Sequence, residues 1–257
     1  MTSSSQQRLS TAEMVAKDRA GRSYRVCISA CHIPLIENCT EAIDLLHPNE
    51  VEYFSSLQYE RRQRSYLLGR YSAKRAAAVL IGEDRPDKIM IDRGIFTQPI
   101  VVHANHSNIQ VSISHCDNVG ISIGFPEAMP MGIDIERIDN RKIETLAAQM
   151  TALEQEAVRW LPYSASVKLM LLWTAKEALS KILKTGLIIN FRFLEIDHFE
   201  IKDGLIYSCF EGFPQFCTLS YIVGDYVCSI TYPKRALFAN ETLHGLRQNL
   251  IQVISDT

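Results

Sequence analysis

The chain has 257 residues, 47% of them hydrophobic and 22% charged, with a formal net charge of −2. This is the composition of a water-soluble globular chain, and so small a charge leaves no electrostatic footprint for nucleic acid. No apolar run reaches the roughly 18 residues of a membrane span, and the seven cysteines, at 27, 31, 39, 116, 209, 217 and 228, are odd in number, scattered and without a Cys-x-x-Cys pair. They read as reduced thiols of a cytoplasmic protein, not as a disulfide frame or a zinc site.

The first 23 residues are polar, lack the apolar core of a leader peptide, and read as a partly disordered lead. Order is expected from Tyr24, where Val26 and Ile28 alternate with polar neighbours along a strand over 24–33. Pro48 opens a short helix. A longer helix runs over 60–81, with Tyr66, Ala73, Ala77 and Leu80 at helical spacing and Gly82 as its stop. A short strand follows at 87–91. Alternating apolar residues then predict strands over 110–114, 119–125 and 131–135, read together as a meander. Helices are expected over 141–150, 153–161 and 166–183, then strands over 193–199, 205–210, 216–223 and 226–232. Leu243, Leu246, Leu250, Ile251 and Ile254 give the tail an amphipathic helix, which packs on the chain's own body or serves a dimer contact. Helices followed by antiparallel strands, twice over, predict an α+β fold of two similar halves, although no residue-level repeat is visible. The halves would span 24–130 and 131–233, with 234–257 as a helical tail.

Four clusters carry chemistry. In Gly132-Ile133-Asp134-Ile135-Glu136 a strand sends Asp134 and Glu136 to one face and the isoleucines to the other. Two adjacent carboxylates suit a hard divalent cation, and they equally suit a solvated edge strand. In Trp173-Thr174-Ala175-Lys176-Glu177-Ala178-Leu179-Ser180-Lys181, the residues Trp173, Glu177 and Lys181 form one helical stripe. That stripe is an ordinary surface ion pair beside a tryptophan, or a partly buried pair that a metal-bound phosphate would satisfy. Ser112-Ile113-Ser114-His115 ends a strand about twenty residues before the acidic one. The helix over 60–81 carries Arg61, Arg62, Arg64, Arg70, Lys74 and Arg75, a solvated face or a phosphate reader.

Taken in order, Gly-Ile-Asp-Ile-Glu and Trp-Thr-Ala-Lys-Glu-Ala-Leu-Ser-Lys resemble the two signature motifs of the larger, surfactin-type 4′-phosphopantetheinyl transferases. Ser-Ile-Ser-His and Leu-Leu-Gly-Arg-Tyr-Ser-Ala-Lys-Arg-Ala are similar to accessory motifs of the same family, and the resemblance spans roughly residues 61–186. It implies a pseudo-dimer of two α+β halves with the metal site at their interface. It implies transfer of the phosphopantetheine arm of coenzyme A to a serine of an apo acyl or peptidyl carrier protein, in a monomeric enzyme. Asp134, Glu136 and Glu177 would hold Mg²⁺ or Mn²⁺, and Lys181 would steady the leaving phosphate. Ser114 and His115 would lie by the coenzyme. A basic residue of the 61–74 helix would grip its 3′-phosphate, with Arg64, Arg70 and Lys74 as candidates.

The sequence departs from the family at Phe96-Thr97-Gln98-Pro99, where relatives often carry Gly-Lys-Pro and Gln98 brings no charge. Glu154 stands where some relatives place a general base. It is also the third residue of a Thr151-Ala152-Leu153-Glu154 capping box, which needs a glutamate for structural reasons. Two other functions use the same residues: a Mg²⁺-dependent phosphatase or nucleotidyl transferase, and a catalytically lapsed module that only binds coenzyme A or a carrier protein.

Overall fold

The computed structural model describes residues 8–34, 39–105 and 108–254. Its first part holds β1 (Arg8–Lys17), β2 (Ser23–His32), α1 (Thr40–Asp44), α2 (Pro48–Ser56) and α3 (Glu60–Ile81). A β3 (Met90–Arg93) and β4 (Pro99–Val102) hairpin follows, then β5 (Ile109–Cys116) and β6 (Val119–Pro126). The second part holds β7 (Gly132–Arg137), α4 (Ile143–Ala147), α5 (Ala152–Ala157) and α6 (Ala165–Ile182). It continues through β8 (Ile196–Lys202), β9 (Leu205–Phe210), β10 (Phe216–Val223) and β11 (Tyr226–Pro233) to α7 (Asn240–Ile254). One sheet has the order β1-β2-β6-β5 and the other β7-β11-β10-β9-β8, antiparallel throughout. The fold is α+β.

Both sheets turn an apolar face inward. Val26, Ile28, Ile121 and Ile123 of the first meet Ile133, Ile135, Cys228 and Ile230 of the second in one core. Leu243, Leu246 and Leu250 of α7 close that core, so the tail helix does pack on the body of the chain. The opposite faces carry small and polar residues, and there the long helices lie, α3 on β2, β5 and β6, α6 on β7, β10 and β11. α3 ends at Gly82, whose φ of 75° is the left-handed conformation a glycine adopts freely.

Besides shifted ends, such as a strand that starts at Ile196 rather than 193 and a helix that stops at Ala157 rather than 161, three expectations change. The polar lead is a strand from Arg8. β1 pairs along its whole length with β2, its inward Ser10, Ala12, Met14 and Ala16 too small and too polar for the pattern to show in sequence. Residues 1–7 lie outside the described ones. The expected strand over 87–91 begins instead with a 3-10 turn at Pro86–Lys88, turns extended at Ile89 and pairs as a strand from Met90. The three central strands are no meander, for β5 and β6 pair while β7 joins β11 in the other sheet. Hydroxyls make the seam. Ile133 N–H donates to Ser112 Oγ at 3.1 Å and Ile135 N–H to Ser114 Oγ at 3.3 Å, so two serines satisfy the free edge of β7.

The halves also match residue by residue, which the sequence hid behind spacings that drift from 102 to 107 positions. In the first, Glu50 at the third position of α2 accepts from His47 N–H at 2.9 Å, Lys74 Nζ at 2.5 Å and Ile91 N–H at 2.9 Å. In the second, Glu154 at the same position of α5 accepts from Thr151 N–H at 2.8 Å, Lys176 Nζ at 2.6 Å and Ile196 N–H at 3.0 Å. Ser72 of α3 meets Ser122 of β6 at 2.7 Å, and Thr174 of α6 meets Ser229 of β11 at 2.7 Å. Each half thus fastens its short helix, long helix and following strand with one buried Glu–Lys pair.

β7 approaches α6 so closely that a Cβ on Gly132 would fall 1.9 Å from the carbonyl oxygen of Ala178. A backbone atom cannot swing aside. Gly132→Ala is therefore expected to cost about 3 kcal/mol or more, at the upper end of overpacking effects. Gly245→Ala, on the open side of α7 with nothing within 4 Å, should gain up to about 1 kcal/mol from helix propensity. Urea unfolding of both variants measures the contrast; equal effects would remove the β7–α6 contact from the argument.

Candidate functional site

A cleft of about 960 Å³ opens between α3 and α6 over β5 and β7, with the β3–β4 hairpin as one wall. Its two ends differ in charge. At the α6 end stand Asp134 and Glu136 from β7, Glu177 and Lys181 from α6, and His115 from β5. At the far end stand Arg61, Arg62 and Arg70 from α3, Tyr53 from α2 and Arg93 from β3.

Strand parity puts Asp134 and Glu136 on the face toward α6, and helical spacing puts Glu177 and Lys181 on the face toward β7. Asp134 is 4% exposed. Its Oδ1 accepts from Ser114 Oγ at 2.7 Å and from Lys181 Nζ at 2.8 Å, and Lys181 also donates to the Ile133 carbonyl at 2.7 Å. Its Oδ2 is buried and has no hydrogen-bond partner among the described residues. A buried carboxylate oxygen without a donor is expensive, and a cation is what it lacks.

The neighbouring acids show the same deficit of positive charge. Burial and then the Asp134 charge push Glu177 up to about 7, with Lys181 pulling the other way. Glu136 is raised by burial and by Asp134, against Lys142 at 3.5 Å. Burial and the Lys181 ammonium lower His115, which keeps its imidazole neutral. Among the described residues no three His, Cys, Asp or Glu side chains converge into a ready metal cage. Asp134, Glu136 and Glu177 could hold a hard cation that keeps water or phosphate oxygens for its remaining positions, as Mg²⁺ does.

At the far end, Arg70 lies 4.6 Å over the Tyr66 ring and 3.4 Å from Glu50 Oε1. Arg93 lies 5.2 Å over the Tyr53 ring and donates to its hydroxyl at 3.3 Å. No carboxylate comes within ion-pair distance of Arg61, Arg62 or Arg93 among the described residues. A second, smaller groove of about 410 Å³ continues beyond Lys181, lined by Phe96, Val111, Phe125, Met131 and Ile182.

Of the residues singled out in the sequence, Asp134, Glu136, Glu177, Lys181, Ser114, His115 and Arg70 line the cleft. The Ser114 hydroxyl donates to Asp134 and accepts from Ile135 N–H, so its one proton goes to orienting the acid. Three others stand elsewhere. Arg64 turns off the cleft to Glu60 at 2.6 Å and Asn118 at 2.9 Å. Lys74 is fully buried against Glu50. Glu154 is fully buried against Lys176, and both its oxygens are occupied. A group sealed in that way cannot take a proton from a substrate, so of the two sequence readings the helix cap is the one the geometry fits.

Arg93 and Tyr53 were missed. Arg93 pairs with Pro99 across the hairpin, and with β4 unassigned nothing in the sequence could place it opposite that proline. Gln98 lines the adjoining groove rather than the cleft, its Oε1 accepting from Phe96 N–H at 3.0 Å within the hairpin turn. On the neighbouring strand Arg93 carries a guanidinium into the cleft lining.

Residues 130–231 match the family model of the 4′-phosphopantetheinyl transferase superfamily, a stretch that begins just before β7 and ends within β11. The α+β fold is consistent with that family. A search of curated proteins finds no match. No helix among the described residues is long and apolar enough to cross a membrane.

The raised Glu177 has a consequence for stability. A carboxyl whose folded value lies above its unfolded value of 4.5 contributes stability that is complete below that lower value and lost as pH rises through about 7. In chelator, Glu177→Gln should therefore be more stable than the parent chain at pH 8, with the difference gone near pH 5. Thermal melts across that range test it, and a parent chain that is the more stable at pH 8 would refute it.

Proposed function

We propose that the chain transfers the 4′-phosphopantetheine group of coenzyme A to a serine of an apo carrier protein, leaving adenosine 3′,5′-bisphosphate. One observation carries the reading. The unpartnered oxygen of Asp134, with Glu136, Glu177 and Lys181 around it, lies between an arginine-lined cleft and a mainly uncharged groove. A ligand with a phosphorylated nucleoside at one end, a diphosphate in the middle and a neutral arm at the other has that sequence of charges. The match of residues 130–231 to the transferase family points the same way.

Asp134, Glu136 and Glu177 would hold Mg²⁺ or Mn²⁺, which neutralises a bound diphosphate and raises the electrophilicity of its phosphorus. Ser114 fixes the Asp134 carboxylate by its hydrogen bond. Lys181 brings an ammonium beside the leaving phosphate, and His115, kept neutral, lends a hydrogen bond to the coenzyme. Arg70 and Arg93, each braced on a tyrosine ring, take the 3′-phosphate with Arg61 and Arg62 beside them.

Intact-mass analysis of apo carriers from fatty-acid, polyketide and nonribosomal-peptide systems, incubated with coenzyme A and Mg²⁺, tests the reaction. At least one carrier should gain a phosphopantetheinyl group. Asp134→Asn should slow that gain by ~100-fold or more, as when a preorganised charge-stabilising group is lost. Cleavage of coenzyme A with every carrier unchanged would instead favour a phosphatase.

The arginine end is tested by substrate choice. Dephospho-coenzyme A should bind the parent chain more weakly than coenzyme A. In Arg93→Ala that preference should shrink by about 10-fold, the worth of one charge-assisted hydrogen bond. An undiminished preference would place the 3′-phosphate elsewhere.

A further inference from the structure

The far edge of the second sheet holds a feature unconnected with the cleft. Registers across β8, β9, β10 and β11 pair His198 with Cys209, Cys209 with Cys217, and Cys217 with Tyr232. Directly opposed residues of antiparallel strands project to the same face. Two thiols therefore stand side by side on adjacent strands. Opposed residues have Cα atoms about 4.5 or 5.5 Å apart according to the bonding of the pair, and both separations lie within the range of about 4.4–6.8 Å that a disulfide spans.

The other cysteines differ. Cys27, Cys31, Cys39 and Cys228 are buried, and Cys116 stands beside Glu136 with no cysteine opposite. Cys31 and Cys39 sense each other's charge, but both are sealed in the core. Cys209 and Cys217 alone combine opposed register with partial exposure. Burial raises both thiols, Cys217 up to about 12, and the Lys234 ammonium works against it at both but adds a hydrogen bond only at Cys209. Cys209 is accordingly the thiol that ionises first.

We propose that Cys209 and Cys217 form a dithiol site that a hydroperoxide closes to a cross-strand disulfide. The Cys209 thiolate attacks the peroxide oxygen, the O–O bond breaks, and the leaving oxygen takes up the proton the thiol gave up, so that a sulfenic acid forms with water from hydrogen peroxide or an alcohol from an organic hydroperoxide. The Cys217 sulfur then displaces the sulfenic hydroxyl as water. Two thiols lose two electrons in all and the peroxide gains them. A small dithiol reductant reverses the bond. The pair also matches the demand of a trivalent arsenical, which bridges two neighbouring thiols and releases water. The bridge ties strands that are already paired, and β9 lies three places from β7 in the sheet order, so the cleft keeps its shape.

The test uses the full chain, reduced and then treated with hydrogen peroxide under native conditions. The intact mass should fall by two hydrogens, and proteolysis without reduction should yield one linked pair of peptides carrying Cys209 and Cys217. Phenylarsine oxide should add once to the reduced chain and not at all to the oxidised one. Cys217→Ser should leave a sulfenic acid on Cys209 that dimedone traps, and Cys209→Ser should abolish both bridging and arsenical uptake. A linkage at Cys31–Cys39, over-oxidation of Cys209 without a bridge, or bridging only in denaturant would each overturn the proposal. Because the wild-type peptide map decides the matter, a variant that fails to fold does not obscure it.

Discussion

The approach of β7 to α6 governs the candidate site. Gly132 has no side chain, and the Ala178 carbonyl occupies the space one would need. That contact brings a strand carrying alternate acids against a helix carrying Glu177 and Lys181 one turn apart. Across that contact Lys181 reaches both the Ile133 carbonyl and Asp134 Oδ1, at 2.7 and 2.8 Å. The glycine opening the motif therefore acts through packing, and the four charged residues Asp134, Glu136, Glu177 and Lys181 are positioned by it.

Why the chain has this cluster in only one half follows from the internal correspondence. Both halves keep the brace, Glu50 with Lys74 and Glu154 with Lys176. Beyond the brace they diverge. By register against Ser122 and Ser229, the counterpart of Asp134 is Ser29, and by position after the buried lysine the counterparts of Glu177 and Lys181 are Arg75 and Val79. The first half keeps the scaffold and places arginines on its long helix; the second places acids and a lysine. The cleft lies where the two meet, which is how one cavity comes to have a cationic and an anionic end.

This division also explains what could be read in advance. The long helices and the strands β2, β6, β9, β10 and β11 were legible because each presents an unbroken apolar face to the core. Local spacing puts Asp134 with Glu136 and Glu177 with Lys181 on common faces but left their role open, and only the resemblance to the family's motifs singled them out as one candidate site. Arg93, Lys74 and Glu154 were not legible, since their surroundings are set by partners that are far off in the chain. Lys74 and Arg70 stand one turn apart on the same helix, yet one is sealed against Glu50 and the other lines the cleft. No pattern within α3 separates them; α2, from which Glu50 reaches over, does.

The same contrast distinguishes buried charge that builds the fold from buried charge that serves the site. Glu154 is surrounded by one ammonium and two backbone N–H groups, so its desolvation is compensated within the chain. Asp134 shares one ammonium with its surroundings, keeps one oxygen bare, and raises the acids beside it. The first arrangement is complete and has nothing left to bind. The second is short of positive charge, and that deficit disfavours the fold at neutral pH while favouring whatever cation and phosphate enter together. A site held in this state needs a scaffold that stays rigid under repulsion, and the two Glu–Lys braces, with the serine-bonded edge of β7, provide it.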